Sequence, residues 1–171
     1  MTFVPTNPEA GIQPIAQAAT TGTVNHPLGT LVNAYDSTGV QGMCTFIYLY
    51  GVAANIVGLL VTYNASTGIT TAAPSTAHLG QPLAVSMNAN TSITTGSWYQ
   101  VGGVAIIKKT AVKVNPAVPI FLSGTAGRVF PTATSGKQIL NAVTVNAATV
   151  ASATSTINVQ MQYPFAQGQV I

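Results

Sequence analysis

The sequence predicts an all-β fold, and three observations carry the prediction. From Leu28 onward the chain runs in short stretches rich in Val, Ile, Thr, Tyr and Phe, each closed by Gly, Ser, Thr, Asn or Pro. Few segments avoid both proline and β-branched residues long enough to make a helix. The third is the alternation in Thr156-Ile157-Asn158-Val159-Gln160-Met161-Gln162-Tyr163. It places Ile, Val, Met and Tyr on one strand face and Thr, Asn and Gln on the other, so one side is buried and the other wet. At 171 residues the chain has room for one domain, or one domain carrying an arm.

Taken in order, residues 1–26 hold Pro5, Pro8 and Pro14 and show neither helical nor strand periodicity, which makes them an extended N-terminal arm. Phe3, Val4, Ile12 and Ile15 make this arm more apolar than a free tail, so it is expected to dock on its own domain or on a neighbour. Residues 27–171 are the β-rich domain. Strands are predicted at 29–35, 41–52, 58–63, 81–87, 97–101, 104–109, 111–114, 119–123, 127–130, 137–145 and 155–163. Segment 141–154 is Ala-rich, but Val143, Val145 and Val150 make it a strand, a loop and a second strand rather than a helix. Turn clusters at 37–39, 66–68, 94–96 and 122–124 recur at nearly even spacing, as turns of a β fold do.

Charge is the strongest constraint on function. Charged residues make up 4% of the chain, against roughly 25% in an ordinary globular domain. Glu9 and Asp36 are the only acids, so paired-carboxylate glycosidase chemistry, calcium cages and two-metal phosphoryl transfer lack their parts. A hydrophobic fraction of 47% and a mean hydropathy of +0.42 are the reverse of a disordered chain. The net charge of +3 comes from five cations, too few to neutralise many phosphates, and nucleic acid is not an expected partner. Thr, Ser, Asn and Gln therefore carry the wet surface. Weak mutual repulsion suits a protein packed against copies of itself or a scaffold.

The N-terminus has no cationic and apolar regions of a secretory signal, and the expectation is an unexported chain. Residues 43–61 are uncharged and raise the question of a membrane helix. They lack flanking Lys or Arg, and Tyr48 and Tyr50 fall mid-segment rather than at the ends, so no membrane is expected.

Candidate chemistry is sparse. His26 and His78 are the only possible general bases, Asp36 and Glu9 the only orienting acids, and no Gly-x-Ser-x-Gly elbow supplies a nucleophile. Cys44 lies in an apolar run and reads as a small buried hydrophobe. Gly136-Lys137 is followed by Gln138, which lacks the hydroxyl that a phosphate loop offers magnesium. Gly102-Gly103 opens no helix and reads as a bulge or tight turn. No catalytic residue, cofactor or metal is expected.

The cations are Lys108, Lys109, Lys113, Arg128 and Lys137. Lys108 and Lys109 point to opposite strand faces, as edge-strand lysines that discourage pairing or as contacts for an acidic partner. Trp98 and Tyr99 likewise place two rings on opposite faces, one expected in the core and the other at an interface.

The order of several pieces resembles a known family. These pieces are Leu28-Gly29-Thr30-Leu31-Val32, Tyr48-Leu49-Tyr50-Gly51-Val52, Gly58-Leu59-Leu60-Val61-Thr62-Tyr63 and Gly80-Gln81-Pro82-Leu83-Ala84-Val85. They continue with Gly96-Ser97-Trp98-Tyr99-Gln100-Val101-Gly102-Gly103, Leu122-Ser123-Gly124-Thr125-Ala126-Gly127-Arg128-Val129 and Val159-Gln160-Met161-Gln162-Tyr163-Pro164. In this order, over residues 28–164, the chain is similar to small β-rich capsid decoration (cement) proteins of tailed phages. It departs at Ser97-Trp98-Tyr99-Gln100, where the family more often has Tyr-Gly-Trp-Val-Gln, and after Ile139, where a glycine is expected.

The resemblance implies a barrel-like or β-tulip-like domain without catalysis, which binds the major capsid protein on the outer surface of an expanded head. It implies homotrimers, with dimers as the alternative. Phe3, Val4, Ile12 and Ile15 of the arm, with Trp98, Tyr99, Lys108, Lys109 and Arg128, are then the expected partner-binding residues. The rival reading is a fibre or adhesin-like module that binds a cell-surface glycan or receptor. Such a module would be expected to pair an aromatic platform with carboxylates or calcium, and the two acids lie far apart in sequence.

Overall fold

The computed structural model describes residues 2–6, 11–19 and 22–168. These form an all-β structure without helix, as the sequence predicts. The strands are β1 (Phe3–Pro5), β2 (Leu31–Asp36), β3 (Met43–Tyr50), β4 (Leu60–Tyr63), β5 (Thr70–Ala72) and β6 (Leu83–Ser86). They continue with β7 (Gly96–Lys108), β8 (Pro119–Leu122), β9 (Val129–Phe130), β10 (Gln138–Thr144) and β11 (Thr156–Ala166). The sheet runs β1-β2-β3-β7-β11-β10-β8-β9, with β6 on β7, β4 on β6 and β5 on β4. All named strand pairs are antiparallel. The sheet is not closed into a barrel, because its path ends in β1 on one side and β9 on the other.

The long strand β7 organises the fold. Its first half pairs with β3 from Gly96↔Tyr50 to Gly102↔Thr45, and its second half pairs with β11 from Gly102↔Gln162 to Lys108↔Thr156. Between them the β3 register skips Val101, so Thr45 faces Gly102 while Phe46 faces Gln100. This bulge falls at Val101, beside the Gly102-Gly103 pair where a bulge or tight turn is expected, and β7 runs as one strand through the two predicted at 97–101 and 104–109. Gly103 adopts φ +88°, which an L side chain rarely does, and an added Cβ would stand 2.4 Å from the Met43 carbonyl.

Three apolar groups fill the interior. One joins β6, β8, β10 and β11 through Leu83, Ile120, Ile139, Val159 and their neighbours. A second lies under β1–β3 and holds Phe3, Ile15, Val32, Phe46, Tyr48 and Trp98. The third holds Ile47, Leu49, Val61, Ala84, Tyr99 and Val101. Because β7 is covered on both faces, Trp98 enters the second group and Tyr99 the third, and both are buried. The expectation that one of these rings is exposed is therefore corrected.

Two other departures have local causes. β11 alternates as predicted through Ile157, Val159 and Met161, then slips phase, so Tyr163 is 51% exposed instead of sharing the buried face. Tyr163 has φ +46°, Asn141 opposite has φ +58°, and the register jumps from Leu140↔Phe165 to Ala142↔Met161. The predicted strand at 111–114 reduces to one bridge, Val114↔Val150. Residues 43–61 are β3, a loop and the start of β4. No helix among the described residues is long and apolar enough to cross a membrane.

Candidate functional site

The N-terminal segment is fastened to its own domain. β1 pairs with β2, and Phe3 meets Phe46 edge to face at 4.9 Å. Further along, Gln13 is the clasp. Its carbonyl accepts from Trp98 Nε1 at 2.9 Å, and its Oε1 accepts from the Tyr48 hydroxyl at 2.8 Å and from Asn25 Nδ2 at 3.0 Å. The Gln13 N–H donates to His26 Nε2 at 3.1 Å, which commits that ring nitrogen as an acceptor. The His26 ring stands edge-on to Tyr48 at 5.0 Å, and burial raises the Tyr48 phenol above its ordinary pKa. Ile15 is 2% exposed beside this clasp. Phe3 and Ile15 thus belong to the chain's own core, Ile12 is half-buried and Val4 is exposed. Glu9 lies outside the described residues.

The cations are placed differently from expectation. Lys108 and Lys109 lie on β7 or at its end, in the middle of the sheet rather than at an edge. Lys109 is 1% exposed, and its ammonium donates to the carbonyls of Val112 at 2.8 Å, Thr110 at 3.2 Å and Ser152 at 3.3 Å. Burial lowers its pKa. Three neutral acceptors match three ammonium protons, and this lysine ties two loops to β7 without facing a partner. Arg128 Nη1 donates to the Lys109 carbonyl at 3.2 Å and extends the same knot. Lys108 is half-buried.

Asp36 closes the β2–β3 hairpin instead of orienting a base. Burial opposes its charge, but hydrogen bonds from the hydroxyl and N–H of Thr38 and the N–H groups of Gln41 and Val40 outweigh it, so its pKa falls below 3.8. Cys44 is buried as expected, and burial with the nearby Asp36 charge pushes its thiol up to about 11. His78 is exposed, with Nδ1 3.1 Å from the Gly168 carbonyl. Among the described residues, no group of three or more His, Cys, Asp or Glu side chains lies together.

What the fold does expose is an uncharged face on β1, β2 and β3. Val4 pairs with Tyr35, and Tyr35 with Met43, in one cross-strand row, with exposures of 37%, 44% and 57%. Four residues away along β2, Leu31 is 52% exposed, and between them the Thr45 hydroxyl donates to Asn33 Oδ1 at 2.9 Å. The alternation Leu31-Asn33-Tyr35 against Val32-Ala34-Asp36 was visible in the sequence. Its exposed side was not, because each set mixes apolar and polar residues. No protein-family model matches the chain, and no curated protein matches it.

Proposed function

We propose that this chain is a structural virion protein, a capsid decoration or cement protein. It attaches to the major capsid protein on the outer surface of a phage head as a small oligomer and strengthens contacts between capsomers. The observation that carries this reading is the row Val4, Tyr35 and Met43 with Leu31, an uncharged apolar face on a chain with 4% charged residues. The order of turn-and-strand pieces over residues 28–164 supports it independently. Such a face gains stability by removing apolar area from water, and attaching it across a capsomer boundary makes opening the shell expose that area again.

In this reading the N-terminal arm acts through β1. One edge of β1 pairs with β2, and the other ends the sheet path, where a neighbouring subunit can add a strand. A standard interface buries about 800 Å² per partner, roughly a tenth of this chain's 7956 Å² surface.

Deleting the arm is a poor test, since it removes Phe3 and Ile15 from the core. A better one places charges on the exposed face. Leu31→Glu with Met43→Glu, which are not cross-strand partners, is expected to leave urea stability near wild type and to abolish co-sedimentation with undecorated expanded capsids. Undiminished binding by this variant would remove the face from the proposal.

A further inference from the structure

We propose that the groove between the β4–β5 hairpin and the Gln81-Pro82 segment is a binding site for a neutral carbohydrate. The groove has a volume of about 430 Å³ and is lined by Tyr63, Asn64, Ile69, Thr71, Gln81 and Pro82 among others. None of its lining residues carries a charge. Tyr63 is the aromatic residue of the lining, and strand register sets Phe165 beside the groove across Pro82. The Tyr63 N–H donates to the Pro82 carbonyl at 3.3 Å, Pro82 bridges Phe165, and Phe165 pairs with Leu140. Phe165 is 39% exposed, and the phase slip in β11 leaves Tyr163, two residues before it on the same strand, 51% exposed.

A sugar ring offers a flat C–H face with hydroxyls around its rim. It therefore needs an aromatic surface bordered by neutral donors and acceptors. The groove supplies Tyr63 and the neutral rim, and Phe165 stands next to it across Pro82. The Gln81 carboxamide makes no hydrogen bond among the described residues and is exposed. Asn64 Oδ1 accepts from the N–H groups of Ser66 at 2.9 Å and Thr67 at 3.2 Å, which leaves Nδ2 to donate. The same bonds, with Gly68 N–H to the Asn64 carbonyl at 2.8 Å, fix the hairpin loop in advance of binding. The Thr71 hydroxyl, 2.7 Å from that of Thr62, adds a rim group. Phosphorylated, sulfated and uronic acid ligands would find no cation in the lining. This site is independent of the capsid reading, because it lies on β4, β5 and the Gln81-Pro82 segment rather than on β1–β3.

The test is an NMR titration of the isolated full chain with cellohexaose, maltohexaose, mannohexaose, galactohexaose and chitohexaose, and with oligogalacturonate as the acidic probe. At least one neutral oligosaccharide is expected to give saturable shifts confined to residues 62–71, 81–82 and 163–165, with a Kd on the order of 0.1–1 mM. Phe165→Ala and Gln81→Ala, both at exposed positions, are expected to weaken it about tenfold each at unchanged urea stability. The proposal is overturned if no neutral probe saturates, if oligogalacturonate binds as tightly, if Phe165→Ala binds like wild type, or if the same shifts arise from protein concentration alone.

Discussion

Replacing Gly103 with alanine tests how the centre of the sheet is built. Gly103 sits at φ +88° just past the β7 bulge, and a Cβ there meets Met43 O at 2.4 Å, Cys44 Sγ at 2.9 Å and Cys44 Cα at 3.0 Å. The left-handed backbone alone costs an L residue about 1–2 kcal/mol. The overlap falls on backbone rather than on a mobile side-chain tip, so β3 must move away from β7. Losing one or two ladder hydrogen bonds costs about 1 kcal/mol each. The sum is about 2–4 kcal/mol, a large part of the ~5–15 kcal/mol that stabilises a typical domain. Gly102 is the internal control. It has no positive φ, and its Cβ would meet Thr45 Cβ at 3.1 Å, which a shift of a few tenths of an ångström relieves, at about 1 kcal/mol. Urea unfolding followed by tryptophan fluorescence reads both variants, since Trp98 is the only tryptophan and is buried. If Gly103→Ala costs no more than Gly102→Ala, the bulge does not work as described.

Three further outcomes follow from the buried polar groups. Asp36 has a depressed pKa in the folded state, so its contribution is fully present above its ordinary value of 3.8 and disappears as pH falls through the lower folded value. Asp36→Asn should therefore cost about 2–3 kcal/mol at pH 7 and progressively less as pH falls below 3.8 in urea titrations. Cys44, pushed up to about 11, and Tyr99, pushed up by burial to about 12, contribute stability that is fully present below pH 9 and lost above it as their unfolded forms ionise. Thermal melts should fall steeply above pH 9, and a thiol reagent should label native Cys44 only at the rate of unfolding. Lys109→Met keeps the stem packing but leaves three carbonyls without their donor, whereas Lys109→Ala also opens a cavity. Chemical denaturation should rank them in that order, with alanine worse by about 2 kcal/mol.

The strands were legible where burial is one-sided. Ile157, Val159 and Met161 alternate because one face of β11 meets the core, and the β7 bulge was marked by the two glycines beside it. The sequence missed β1 and β5, three residues each, which are strands only because neighbours at Ala34–Asp36 and Val61–Tyr63 offer them ladders. It also misplaced the buried side chains of β7. A strand covered on both faces has no alternation to betray which rings are inside, so one of Trp98 and Tyr99, and Lys109, read as interface residues although all three are buried. Lys109 looked exposed because its partners are carbonyls of residues 110, 112 and 152, which no side-chain motif announces. Tyr163 looked buried because Asn141 and Pro164 gave no count of how far the register would slip.

The most direct measurement of the proposed role mixes the purified wild-type protein with undecorated expanded capsids. After pelleting, the bound amount per capsid subunit is compared with the protein's oligomer mass in solution. The account predicts saturation at a fixed ratio that matches a trimer or dimer, together with a raised capsid melting temperature. No binding at micromolar concentration, or binding that never saturates and leaves capsid melting unchanged, would contradict it.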